Sequence, residues 1–573
     1  MADQKLENLL NLSLEATPEE RLKSVSLGVG YNSTNDHWEV IVRHTGDLNV
    51  LTQQSSQITV TNLLGDFSIV SLPSSYLPSL SALPNVSFVE KPKRLFFSVI
   101  QARQSSCITT LYQSPWNLDG EGILIGIVDS GITLTHPDFQ NSDGTTRLLR
   151  FWDQTSSGTP PLGYPYGNEW LPEQINEALR TNSPLPEDRS GHGTAVAGIA
   201  AGNGNASQGR YKGIAPKSTL IGVRLGSPSP TSFPRTTQLM MGIDYCIRMA
   251  ANLNLPLALN LSFGNNYGSH DGTSLLETYL NAASGHGKVT ICTGSGNEGI
   301  SGVHASGVLS SSMETIELSV GSYEPSLNIQ LWKNYVDEFS ITLESPSGIT
   351  IGPILPILGP QRLMIDRTEL LIFYGEPSPF STSQEIYMDF IPTGSYVGSG
   401  IWKIHLIPQR IVDGIYHMWL PGGGILNSNT RFLSPSPETT LTIPSTSSHV
   451  ITVGAYDSSL NAYADFSGRG FTRYPLQIKP DLVAPGVNLN APAPPDQYVS
   501  VTGTSFATPI VTGSAALMMQ WGIIQGNDPY LYGEKIKAYM LRGARQLPGS
   551  SDYPNPRLGY GTLCLRNSFP INF

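Results

Sequence analysis

Gly122–Ile132 reads GILIGIVDSGI. The apolar run Ile123–Val128 suits a strand buried on both faces of a parallel sheet, and it breaks at Asp129-Ser130-Gly131. An acidic side chain where a buried strand stops needs a partner, because a lone buried carboxylate is costly. In open α/β sheets, functional groups gather at the carboxyl ends of strands. The same texture returns at Leu220–Arg224, Leu257–Phe263 and Val289–Thr293, with helical segments between them at Thr194–Ala201 and Gln238–Ala251. That alternation predicts an α/β fold, a doubly wound parallel sheet with helices on both faces.

Two further segments carry chemistry. Gly191-His192-Gly193-Thr194 precedes AVAGIAAG, whose small residues suit a tightly packed helix with an accessible histidine at its start. Gly503-Thr504-Ser505-Phe506-Ala507-Thr508-Pro509 is a tight turn running into the apolar helix Ile510–Trp521. Ser505 then lies near a helix N-terminus, where the dipole and free N–H groups favour an oxyanion. Taken singly, Asp129 would be an Asx turn, His192 a solvated turn residue and Ser505 an N-cap. Together they supply a weak nucleophile, a base that titrates near neutrality and a carboxylate to orient it.

GIVDSGI, GHGTAVAGIAAG and GTSFATPIVTGSAAL resemble, in this order, the three signature blocks of the subtilase family. The resemblance implies a serine endopeptidase in which Asp129 orients His192, His192 takes the Ser505 proton and Ser505 attacks a peptide carbonyl. A fourth block, Thr293–Gly299 (TGSGNEG), matches G-x-G-x-x-G, but a Ser/Gly-rich loop follows where a dinucleotide site needs a helix. The resemblance instead makes Asn297 the oxyanion donor and Gly294–Gly296 a wall of the S1 pocket. It also makes Ser262, Phe263 and Gly264 the edge that pairs with substrate backbone, a mode that draws affinity from main-chain hydrogen bonds.

Upstream of this sheet lies a shorter unit. A helix over Pro18–Leu27 with Thr17 as N-cap, strands at Trp38–Arg43, Phe67–Leu72 and Val86–Glu90, and a helical turn at Ser74–Leu83 predict a compact, ferredoxin-like α+β open sandwich over residues 1–101. LPSLSALPNVSFVEKPKRL, residues 77–95, resembles the end of a subtilase propeptide, a chaperone and inhibitor whose tail lies in the active site. Autocleavage is expected within Ile100–Ser106, after Gln101 with Ala102 as the small P1′ residue, or alternatively between Gln104 and Ser105. Gln101 stands 28 residues before Asp129, close to the usual family distance.

From about residue 307 to 440 the rhythm changes. Thr315–Val320, Leu327–Trp332, Phe339–Leu343, Leu370–Tyr374, Ile386–Phe390, Ile401–Leu406 and Ile415–Leu420 alternate and are punctuated by Pro and Gly. They predict an all-β jelly roll, residues 307–440, inserted into a catalytic domain made of residues 102–306 and 441–573. This insertion, the absence of a secretory signal and FWDQTSSGTPPLGYPYGNEWLPEQINEAL before the histidine block resemble the clostridial spore-germination proteases, the Csp group. That resemblance implies a protein made in the cytoplasm and packaged into the spore. Its partners would be its own retained prodomain and a cortex hydrolase zymogen as substrate. A general degradative subtilase and a non-catalytic scaffold are the competing readings.

The bulk properties narrow the field. The 573 residues allow roughly three to five structural units. A net charge of −11 without Lys/Arg runs excludes nucleic acid as a natural partner. No apolar stretch approaches the ~18 residues that span a bilayer. The four cysteines, Cys107, Cys246, Cys292 and Cys564, are scattered, so neither a disulfide framework nor a zinc site is expected, and Cys246 and Cys292 read as buried thiols. No cofactor is required. Many subtilases hold calcium, but the loop Asn203–Arg210 has no carboxylate and Asp138 alone is thin support.

Overall fold

The computed structural model describes residues 3–24, 26–53, 55–93, 104–227, 234–422 and 424–570. The chain forms two compact units. One comprises Leu95–Gly264, Leu276–Gly299 and Thr440–Phe573; the other comprises Met1–Arg94, Asn265–Leu275 and Ile300–Thr439.

The first unit is built on a nine-stranded sheet. From edge to edge run Ala462–Tyr463, Ile451–Asp457, Val289–Gly294, Leu257–Leu261, Leu124–Asp129, Thr219–Arg224, Leu148–Asp153 and Asn168–Trp170, with Leu482–Pro485 also beside Ile451–Asp457. The interior pairings are parallel, and only the two outermost strands pair antiparallel. Winding reverses between Leu124–Asp129 and Leu257–Leu261, so the carboxyl ends of these neighbours flank a topological switch point. Alternate residues of Leu124–Asp129 serve opposite faces. Ile125 and Ile127 share a core with Val196, Ala200, Phe506 and Ile510 of the helices His192–Ala201 and Thr504–Met519. On the other face, a Cβ added to Gly126 would lie 3.6 Å from Cys246 Sγ, and one on Gly242 would lie 2.8 Å from Val128 Cγ1. Both contacts belong to the helix Thr236–Asn252.

Against the expectation from their scattered spacing, two of the four cysteines are joined. Cys107 and Cys564 form a disulfide across 457 residues, with Cα atoms 4.9 Å apart. Ile108 and Leu111 are buried in the core that also holds Leu563 and Leu565, so hydrophobic packing delivers the two thiols to each other. Cys246 and Cys292 are free and buried as expected. Burial pushes the Cys246 thiol well above its ordinary range and Cys292 up to about 12. Among the described residues only Thr504–Ile524 is long and apolar enough to cross a membrane, and 89% of that window is buried inside the protein.

The second unit has two parts. Val86–Glu90, His37–His44, Phe67–Pro73 and Thr59–Asn62 pair antiparallel in the order fourth, first, third, second, that of a ferredoxin-like sandwich. The helix expected over Pro18–Leu27 stops at Lys23. Thr17 caps it in a box with Glu20, but Ser24 donates to the buried Asp389 and the Lys91 ammonium takes the carbonyls of Ser26 and Leu27. Another helix, Asn8–Glu15, precedes it.

The other part is a sandwich of a six-stranded and a five-stranded antiparallel sheet around a common core, with Ile329, Leu331 and Met388 of one sheet and Ile341, Leu343 and Ile404 of the other. All seven strands expected here form. Four more strands, His304–Val308, Thr350–Ile354, Gly359–Ile365 and Arg431–Phe432, are the sheet edges. Leu9, Leu12, Ala16 and Leu27 form an apolar cluster with Leu371, Phe373, Tyr387 and Ile391 of the six-stranded sheet.

Candidate active site

The structure brings Asp129, His192 and Ser505 to the switch point of the nine-stranded sheet. Asp129 is the last residue of its strand and is fully buried. Its Oδ1 accepts from the Ser130 N–H at 2.7 Å and lies 2.7 Å from His192 Nδ1. Burial raises the Asp129 carboxyl above the usual carboxylate range; the neighbouring imidazole and the Ser130 N–H counter that, and the charge of Asp188 adds to it.

His192 is the first residue of its helix. A Cβ on the next residue, Gly193, would sit 2.1 Å from the Gly131 carbonyl oxygen and 2.9 Å from Asp129 Cβ. Only glycine lets the helix come this close to the strand end, and that approach closes the Asp129–His192 contact. Two aromatic rings hold the imidazole: Phe506 meets it edge-on with centroids 5.0 Å apart, and Phe263 stacks at 6.5 Å.

Ser505 is the second residue of Thr504–Met519 and is buried. Phe506 against the imidazole sets the serine segment beside His192. The Ser505 hydroxyl donates to the Ser262 carbonyl at 3.2 Å, and the Ser262 hydroxyl donates to the Ser505 carbonyl at 2.8 Å. A turn about its Cα–Cβ bond separates this rotamer from others, so the hydroxyl has a defined resting acceptor. Asn297 Oδ1 accepts from Thr504 N at 3.1 Å and from the Thr504 hydroxyl at 3.3 Å, which fixes the orientation of its amide at the start of the serine helix.

The expected binding walls converge nearby. A Cβ on Gly294 would be 3.2 Å from the hydroxyls of Thr504 and Thr508, so this strand end lies directly on the serine helix. Gly296 has φ +93°, a left-handed conformation that suits glycine. Cβ atoms on Gly264 and Gly296 would meet Thr442 at 2.2 Å and 2.5 Å. Thr442 therefore sits between both walls; no motif in the sequence pointed to it, because it comes from beyond the insertion. Asp188, beside the histidine helix, was missed as well.

The Gln101–Ala102 bond lies outside the described residues. The alternative, Gln104–Ser105, is in the 3-10 turn Gln104–Ser106, where Arg545 donates to the Ser105 carbonyl at 2.7 Å. The residues at Asn203–Arg210 do not fit a calcium ion. Asp138 Oδ1 accepts from Ala206 N at 3.0 Å and Oδ2 from the Tyr498 hydroxyl at 2.7 Å, so its oxygens are committed to protein donors. The Arg147 guanidinium already takes the carbonyls of Asp138, Ala201 and Ser218, at 2.9, 2.7 and 2.8 Å.

This geometry agrees with what the chain is similar to. The subtilase family matches residues 120–381 and 427–561, and the Csp protease B prodomain matches residues 4–93. Over 484 residues the chain is 26% identical to the minor extracellular protease Vpr of Bacillus subtilis (strain 168), covering 79% of this chain and 52% of that one. Over 227 residues it is 30% identical to the serine protease AprX of the same bacterium, covering 36% and 47%. The chain thus spans about half the length of these curated relatives. Among solved structures, the Clostridium perfringens CspB protease is 37% identical with a TM-score of 0.76, covering 81% of this chain and 96% of that chain. The sequence blocks, the switch-point geometry and these matches together establish that this chain belongs to the subtilase family and carries a prodomain of the Csp protease B type.

Proposed function

We propose that the chain is a serine endopeptidase that severs its own prodomain and then acts by limited proteolysis. The observation that carries this reading is the buried carboxylate–imidazole pair at 2.7 Å, with Ser505 in the adjoining helix start. The Ser505 hydroxyl turns from the Ser262 carbonyl to His192 Nε2 and gives up its proton as Oγ attacks the scissile carbonyl carbon. The carbonyl oxygen becomes an oxyanion, received by the Asn297 amide and the Ser505 backbone N–H. His192 returns the proton to the departing amine as the C–N bond breaks, and water then hydrolyses the acyl-enzyme by the same route in reverse. Asp129 holds the imidazole in the tautomer and orientation both steps need.

Cleavage is proposed between Gln101 and Ala102, or between Gln104 and Ser105. The prodomain is retained afterwards, a view supported by the apolar cluster that Leu9, Leu12, Ala16 and Leu27 form with the inserted sandwich and by the ion pair of Glu20 with Arg362. The likeness to the Clostridium perfringens CspB protease supports a finer reading: a spore-borne enzyme that activates a cortex hydrolase zymogen. A second reading, a silent scaffold, draws on the Ser505 hydroxyl resting on Ser262.

Mass mapping of the purified chain beside Ser505→Ala, with fluorophosphonate labelling, separates these readings. The wild type is expected to yield two fragments and one labelled serine, while Ser505→Ala stays whole, unlabelled and slower by about a million-fold. An intact, unlabelled wild-type chain would sink the protease reading.

A further inference from the structure

Asp188 has no part in the reaction described so far, yet it is almost completely buried beside it. Its Oδ1 accepts from Ser130 Oγ at 2.8 Å, Ser190 Oγ at 3.2 Å and Gly191 N at 3.1 Å. Its Oδ2 accepts from Thr194 N at 2.8 Å and Thr194 Oγ1 at 2.7 Å. Five donors on one carboxylate are more than a routine cap requires.

The reason lies in the helix that begins at His192. Its first four N–H groups have no acceptor inside the helix, and the residue at its cap, Gly191, has no side chain to offer. Gly191 N and Thr194 N go to Asp188 directly. His192 N goes to Ser190 Oγ at 3.1 Å and Gly193 N to Ser130 Oγ at 2.9 Å, and both of those hydroxyls donate onward to Asp188 Oδ1. Every one of the four groups thus ends, directly or through one hydroxyl, on Asp188. Because Ser130 follows Asp129, the same carboxylate fastens the strand end to the helix start, the two elements whose separation sets the Asp129–His192 contact.

Charge gives a second reason. A helix N-terminus carries the equivalent of about half a positive charge. His192 stands on that terminus and becomes an imidazolium when it takes the serine proton. The terminus opposes this change. A carboxylate set within the terminus offsets it, and the field of Asp188 reaches the dyad, as its upward pull on the Asp129 carboxyl shows.

We propose that Asp188 is a positioning residue for the reaction, holding His192 against Asp129 and cancelling the positive helix end beside the imidazole. This rests on the triad reading above. The test compares wild type, Asp188→Asn and Ser190→Ala, each normalised to active sites by fluorophosphonate titration, with Ser505→Ala at equal protein concentration as the unlabelled blank. Asp188→Asn keeps the shape and loses the charge. It is expected to lower kcat about 10- to 100-fold with KM nearly unchanged, and to move the acid limb of kcat/KM to lower pH by about one unit. Ser190→Ala, which removes a cap and no charge, is expected to lower kcat slightly and leave that limb in place. Should Asp188→Asn not fold, Asp188→Glu decides: a kcat at least tenfold down with the acid limb in place supports the proposal, and wild-type kcat overturns it. An Asp188→Asn profile superimposable on wild type also overturns it. A wild-type chain that neither labels nor outperforms Ser505→Ala sinks the triad reading instead, so the two failures are distinct.

Discussion

The helix that begins at His192 and the helix that begins at Thr504 both follow a glycine, and both bring a reactive side chain to the same point, yet their first turns are finished in opposite ways. At the histidine helix each unpaired N–H is closed by Asp188, Ser190 or Ser130. At the serine helix Thr504 N is taken by Asn297 and Phe506 N by the Gly503 carbonyl, while the N–H of Ser505 meets no acceptor among the described residues. A closed first turn immobilises the group it carries. An open one keeps a donor in hand for charge that exists only in the transition state. One structural resource, the orphan donors of a helix start, is consumed for rigidity in one place and saved for chemistry in the other.

Substitutions can break this contrast from either side. Asn297→Ala removes the side-chain donor of the open turn and is expected to reduce kcat about 10²–10³-fold with little change in KM; a rise in KM with kcat unchanged would show that Asn297 binds the ground state instead. Gly193→Ala attacks the closed turn through space. Its methyl has to displace the Gly131 carbonyl or the helix, and a displacement of about 1 Å at the imidazole corresponds to roughly a 100-fold loss in rate. Thermal melts read alongside kinetics should show destabilisation in the about 1–3 kcal/mol range of an overpacked site. The smallest effect is expected from Ser130→Ala, which frees one N–H and costs about 1 kcal/mol, hence under tenfold in kcat. A loss as large as that of Asn297→Ala would mean that the hydroxyl of Ser130 does more than close a cap.

The two helix starts also differ in how far the sequence disclosed them. Gly-His-Gly-Thr and Gly-Thr-Ser mark positions where close approach admits no side chain, and such constraints are written locally. The strand Leu124–Asp129, the fold it centres and the convergence of Asp129, His192 and Ser505 were therefore legible. Asp188 was not, because its significance comes from donors at residues 130, 190, 191 and 194, and a lone Asp four residues before a His reads as a turn. Thr442 reaches the pocket walls only after the chain has traversed the whole insertion.

In the sandwich, every strand with a continuous apolar alternation was readable. The four that were not are edges, where Gly352, Pro353 and Pro360 interrupt the pattern and the outer side packs on nothing periodic. The helix Asn8–Glu15 hid in a stretch whose leucines serve two surfaces at once. Leu10 joins the ferredoxin-like core, whereas Leu9 and Leu12 turn to the six-stranded sheet, so no single apolar stripe announces it.

The Cys107–Cys564 bond sets the covalent connectivity of the chain. It makes the stretch from Cys107 to Cys564 one covalent ring. A single nick anywhere in that ring opens it without parting it. The pieces would migrate together on a gel run without thiol and fall apart when reductant is added. Proteolytic damage within the ring would thus need two cuts, or one cut and a reducing agent, to separate the pieces.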